Sequence, residues 1–126
     1  MDSNTLCKEI IELLKQDPID RSLVTSKVEE LKETLKKEPW YSRKVDDIDL
    51  PDYTLREHRF NQEALDILLI ILDKEDCSDF LEDIYLSIGI SYYYLGDYES
   101  AKKYLLKIED DDDCHEEAIY YLEKMN

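Results

Sequence analysis

Cys114 and His115 stand side by side behind the acidic run Glu109–Asp113. A thiol next to an imidazole is the pair in this chain with most to offer chemically. Such a pair suits a zinc site, but zinc held structurally takes four ligands of this kind. The only other histidine is His58, and Cys7 and Cys77 are widely separated, so no second pair sits at ligand spacing. Surface or capping roles are expected for both histidines. The acidic run could attract a divalent cation, yet it lacks the glycine turn and the distal bidentate glutamate of a helix–loop–helix calcium site. It reads as a solvated loop between helices. A phosphate cradle needs glycines, and the chain has two, Gly89 and Gly96, both of which have structural uses given below. Carboxylates are plentiful, but their spacing isolates no catalytic pair. The expectation is a protein without catalytic residues, metal or cofactor, and not an enzyme.

The totals agree with that direction. The 126 residues fit one domain with a single core. With 43% hydrophobic and 38% charged residues, two glycines and three prolines, long helices are favoured and turns are few. Residues 46–126 hold 23 acidic side chains against seven basic ones and so carry the entire net charge of −16. Such a field repels phosphate backbones and anionic headgroups, which argues against nucleic acid and against direct membrane contact by this segment. It favours a protein partner with a basic or amphipathic segment; the plainer alternative is that the acids only keep the domain soluble. The longest apolar run, Ile67–Leu72, is far shorter than a bilayer span. The start has no basic region ahead of its apolar residues, unlike a signal peptide. Three well-separated cysteines read as reduced thiols, and a cytoplasmic location is expected.

These side chains must be positioned by helices. Leu6, Ile10, Leu13 and Leu14 have helical spacing, and so do Val24, Val28, Leu31 and Leu35. They define an N-terminal helical pair over residues 5–38. Ser26 and Glu29 have capping-box spacing, although Leu23 and Val24 suggest a slightly earlier start. Residues 39–52 form an internal loop with its own packing material in Trp40, Tyr41, Val45, Ile48 and Leu50. A weak short helix follows in "DYTLREHRF". The segment "NQEALDILLIIL" is apolar on almost every face and should lie centrally; its length and branching would suit a strand, but "NQEALD" favours helix and no second strand offers itself for pairing. Helices over 79–112 and 115–125 complete about seven, with no confident strand.

The stretch "YLSIGISYYYLGDYESAKKYLLKI" organises this pattern. Tyr85, Ile88-Gly89, Tyr92, Gly96, Tyr98, Ala101, Leu105 and Ile108 follow at the spacing of the tetratricopeptide repeat (TPR), which this stretch closely resembles. Asp113 stands where that family usually has proline. Glycine inside a helix costs roughly 1 kcal/mol relative to alanine, so Gly89 is expected where two helices cross with nothing between them. Ala101 is small for the same reason. Gly96 suits a left-handed helix cap. Tyr92 and Tyr98 are amphipathic fillers on either side of the crossing.

The resemblance implies an all-α, TPR-like stack of antiparallel helix pairs, a right-handed α-solenoid fragment with capping helices. Residues 53–73 would be a degenerate repeat in which Ala64, Leu68 and Ile71 correspond to Ala101, Leu105 and Ile108. The interval of 37 residues is longer than the family's usual period of about 34, so a longer loop is expected around Cys77. Residues 79–112 would be the well-matched repeat and 115–125 a C-terminal capping helix. TPR ligands lie on the concave face made by the first helix of each pair. At matching positions this chain has Asp83, Leu86, Ile90, Tyr93 and Tyr94, a groove for a peptide or helix of a partner. Alanine at Ile90 and Tyr93 is then expected to weaken capture without unfolding the domain. The other reading of the same residues is that the last helix folds over them, or that they fill seams. Leu86 and Ile90 replace the basic clamp residues of chaperone-binding relatives, which disfavours carboxylate-tail recognition.

The span from "ALDILLIIL" to "SAKKYL" also resembles the cytosolic domain of the mitochondrial outer-membrane fission adaptor, although the interval from Gly89 to Tyr98 is longer here. That resemblance implies the cytosolic face of that membrane if a tail anchor follows Asn126. The functional class expected is a non-catalytic adaptor or scaffold; an obligate subunit of a larger assembly is the alternative suggested by "LDILLIIL" and the tyrosine excess.

Overall fold

A computed structural model describes residues 2–38, 51–73, 81–110 and 112–125. Asp2 opens the first helix, Ser3–Leu14 (α1), by accepting the Thr5 amide at 2.8 Å. This gives a partner to one of the amides that every helix start leaves free. Leu6, Cys7, Ile10 and Leu14 share its buried face. Arg21–Lys37 (α2) begins at Asp20, whose carboxylate accepts the Leu23 amide at 3.1 Å. The cap therefore lies ahead of Ser26 and Glu29, which fall inside the helix. Val24, Val28, Leu31 and Leu35 are fully buried. At the far end the Glu38 carboxylate accepts both the Ser3 amide, at 3.1 Å, and the Ser3 hydroxyl, at 2.7 Å. The end of α2 thus caps the start of α1, which makes the pair antiparallel. The internal loop with Trp40, Tyr41, Val45, Ile48 and Leu50, and the longer loop around Cys77, lie outside the described residues.

Five further helices follow: Asp52–Glu57 (α3), Asn61–Leu72 (α4), Leu81–Leu95 (α5), Tyr98–Leu105 (α6) and His115–Lys124 (α7). All elements among the described residues are helical, so the all-α expectation holds. No helix among them is long and apolar enough to cross a membrane. Helix α4 is buried through Ala64, Leu65, Ile67, Leu68 and Ile71, the central place its composition demands. It packs against both α2 and α5. Lys32 of α2 ties into it, 2.8 Å from Glu29 and 3.1 Å from Asp66 of α4.

The turns after α3 and α5 are the same structure. After α3 the Phe60 amide donates to the Leu55 carbonyl at 2.8 Å and the Arg59 amide to Arg56 at 3.0 Å. After α5 the Asp97 amide donates to Tyr92 at 3.0 Å and the Gly96 amide to Tyr93 at 3.1 Å. Both are Schellman closures, an outer bond around an inner one, with one residue left-handed. That residue is Gly96 (φ 84°) in one and Arg59 (φ 69°) in the other. A shift of 37 residues takes Leu55, Arg59, Ala64, Leu68 and Ile71 to Tyr92, Gly96, Ala101, Leu105 and Ile108. On both sides of the shift the alanine and the two aliphatic residues after it are buried. The two turns thus share their hydrogen-bond pattern at positions 37 residues apart.

Gly89 is buried within α5. A Cβ placed there would lie 2.6 Å from the Leu105 side chain and 3.4 Å from the Ala101 carbonyl oxygen, both on α6. Ala101 itself is fully buried. Helices α5 and α6 thus approach each other at the two small residues, as their sizes require. Two cores result. The larger runs from Leu6 in α1 to Ile88 in α5. The smaller joins Leu105, Ile108, Cys114 and Ala118, with Tyr85, Leu86, Tyr121, Leu122 and Met125 packed around it.

Two outcomes are expected in urea unfolding. Gly96→Ala meets no atom within 4 Å, so its cost is the left-handed strain of a residue with a Cβ, about 1 kcal/mol, while Arg59→Gly relieves a similar strain; changes of the same sign would refute the shared turn. Gly89→Ala crowds Leu105 at a cost of about 1–3 kcal/mol, against a helix-propensity gain of roughly 1 kcal/mol. In a Leu105→Ala background the crowding disappears, and Gly89→Ala should become stabilising.

Candidate functional site

Helices α3, α5 and α7 face one cleft of about 310 Å³. Each contributes two residues one helical turn apart: Tyr53 and Glu57 from α3, Ile90 and Tyr94 from α5, Glu117 and Tyr121 from α7. Residues spaced by four share a helix face, so three short faces converge. Arg56 completes the lining. Its Nη1 donates to Asp52 Oδ2 at 3.1 Å and lies 3.5 Å from the Oγ of fully buried Ser91. The Arg56–Asp52 pair is largely withdrawn from water, so the guanidinium charge is neutralised within the wall. Among the described residues no cation pairs with Glu57 or Glu117, and two carboxylates therefore set the sign of the mouth.

A tyrosine network frames one side. The Tyr93 ring centroid lies 5.2 Å from Tyr94, 5.2 Å from Tyr121 and 5.5 Å from Tyr98, the last contact being stacked. Tyr94 and Tyr121 meet edge-on at 6.3 Å. These are favoured aromatic geometries. Burial pushes the Tyr121 hydroxyl pKa upward, helped by its hydrogen bond with Tyr94 and by the Glu117 charge.

The residues expected to form a groove divide into two groups. Ile90 and Tyr94 line the cleft. Asp83, Leu86 and Tyr93 meet the last helix instead. The Cys114 thiol donates to Asp83 Oδ1 at 3.1 Å, and burial, then Asp83, push the thiol pKa far up. Leu86 packs on the smaller core and Tyr93 on Tyr121. The packing residues stand mostly where their sizes suggest. Tyr92 stacks on Tyr104 at 5.8 Å, and Tyr85 lies 6.1 Å from the same ring. Ile88, Gly89, Ala101, Leu105 and Ile108 are buried, Gly96 makes the turn, and Tyr98 stays about half exposed against Tyr93. Among the described residues no three His, Cys, Asp or Glu gather as a metal-holding group.

Tyr53, Arg56 and Glu57 were not among the expected groove residues, yet the sequence held a signal for them. The 37-residue shift takes them to Ile90, Tyr93 and Tyr94. The repeat spacing, applied to groove positions as well as to packing positions, picks them out. No protein-family model, no curated protein and no solved structure matches this chain.

Exposure separates lining from support. Ile90 is 7% exposed and Tyr94 56%. Ile90→Ala should therefore cost about 2–4 kcal/mol in thermal or urea unfolding, whereas Tyr94→Ala should cost at most about 1 kcal/mol. Ile90 is consequently a poor binding probe, contrary to the expectation from sequence that its truncation leaves the fold intact, and Tyr94 is the suitable one. Equal losses at the two positions would count against this division.

Proposed function

We propose that the chain is a non-catalytic, TPR-like adaptor or scaffold that binds a peptide or helix of a partner protein across the face formed by α3, α5 and α7. The observation that carries this reading is the convergence of three one-turn pairs on a single cleft. Successive first helices that expose the same turn to one side are what an extended ligand-binding surface requires. The close crossing at Gly89 and the repeated Schellman turn support the same architecture. The narrower reading is a domain like the cytosolic part of the mitochondrial fission adaptor, which rests on the sequence resemblance. The cytosol, or the cytosolic face of that membrane, is the matching compartment. The alternative of an obligate subunit draws on the exposed apolar side chains, among them Leu106 in the tight loop after α6 and Tyr53, Tyr94, Tyr98 and Tyr120.

Site-directed photocrosslinking tests the adaptor reading. A benzophenone amino acid at position 94, introduced into the full chain in cells of its source, should give discrete protein adducts. The same group at Glu33, on the outer surface of α2, should not. Adducts of the same pattern from both positions would overturn the assignment of this face.

A further inference from the structure

The cleft also indicates what kind of side chain it accepts, and this inference rests on the adaptor reading. We propose that it takes an arginine side chain from the partner segment, stacked on tyrosine and bonded to Glu57 and Glu117. Arg56, the cation among the described lining residues, is already neutralised by Asp52. An entering anion would meet two carboxylates at the mouth and, over the whole molecule, a net charge of −16. An apolar group fares no better. Ile90 is the single aliphatic residue among the described lining and is nearly covered, so such a group would strip water from Glu57 and Glu117 with only the tyrosine rings to pack on. A cation satisfies both features at once, because the faces of Tyr53, Tyr94 and Tyr121 carry the negative pole of the aromatic quadrupole.

Size and shape narrow the choice. About 310 Å³ is the low end for a ligand pocket, enough for one long side chain and too small for a helix. A guanidinium can lie flat on a ring and still donate in its plane to two acceptors, which a lysine ammonium cannot do. The protein makes comparable contacts internally. Arg21 lies 3.9 Å from the Phe60 ring centroid, and Lys124 is 4.8 Å from that of Tyr120, next to Tyr121. Cations on aromatic faces are therefore already part of how this chain packs.

The test uses the full chain, isotope-labelled for NMR, and three blocked alanine-based decapeptides whose central residue is arginine, lysine or citrulline. The arginine peptide should shift the resonances of Tyr53, Glu57, Tyr94, Glu117 and Tyr121. It should bind roughly fivefold to tenfold more tightly than the citrulline peptide. The preference should vanish in the Glu57→Gln, Glu117→Gln double variant, whose melting curve verifies that the fold persists. Equal binding of arginine and citrulline, shifts confined to other surfaces, or a preference unaffected by the double variant would each overturn the proposal. Equal binding of lysine would overturn the guanidinium assignment. Protein adducts at position 94 without any arginine preference leave the adaptor reading standing and remove this one. Arginine preference without adducts removes the adaptor reading instead.

Discussion

The distance between α5 and α6 is set at Gly89, and much of the rest is placed by it. Glycine in the middle of a helix is unfavourable by roughly 1 kcal/mol. What offsets that cost is Leu105, whose side chain occupies the space a Cβ would fill. Full burial of a leucine contributes about 1.5–3 kcal/mol, so the exchange favours the close crossing. Leu105 then serves two neighbours. One side of it touches Gly89 and the other belongs to the smaller core with Ile108, Cys114 and Ala118. The position of α7, and with it one wall of the cleft, is therefore inherited from the crossing of the previous pair.

The repeated turn shows how one backbone solution is held by two different means. Gly96 adopts its left-handed conformation without a Cβ penalty. Arg59 does not have that freedom, and its turn is braced from outside. Arg21 of α2 donates to the His58 carbonyl at 3.2 Å and covers the Phe60 ring. These two contacts flank Arg59 in the chain. The first helical pair thus supports the turn that follows α3, the helix that carries Tyr53 and Glu57.

Much of this was legible from residue types. Helix periodicity gave α1 and α2, the polar opening "NQEALD" gave α4 as a helix, and the sizes of Gly89 and Ala101 gave the crossing. Ala64, Leu68 and Ile71 gave the correspondence between the two units, which the buried faces and turn bonds repeat. What sequence left open was the fate of Asp83, Leu86 and Tyr93. Their exposure depends on where α7 lands, and that is decided by long-range contacts such as the Cys114 thiol on Asp83 and the Tyr121 ring on Tyr93. No local pattern records these contacts. The start of α2 was obscured for a different reason. Asp20 and Ser26 can both cap, and the choice follows from where the preceding turn ends. Helix α3 hid its part in the site because six residues are too few to display a period.

The electrical character of the cleft depends on a residue outside its lining. Arg56 lines the cleft and reaches Ser91 of α5, and alone it would leave the site with a largely buried positive charge. Asp52, one turn earlier on α3, cancels that charge at 3.1 Å while both side chains are largely covered. Removing one partner of a pair so placed is far costlier than losing an exposed ion pair, because the remaining charge stays desolvated. The same pair brings Arg56 within reach of buried Ser91 of α5, so the short helix is anchored where its own hydrogen bonds are fewest. Sign and anchorage are thus coupled. A contact that helps to hold the short helix against α5 is also the one that leaves Glu57 and Glu117 to decide what the cleft attracts.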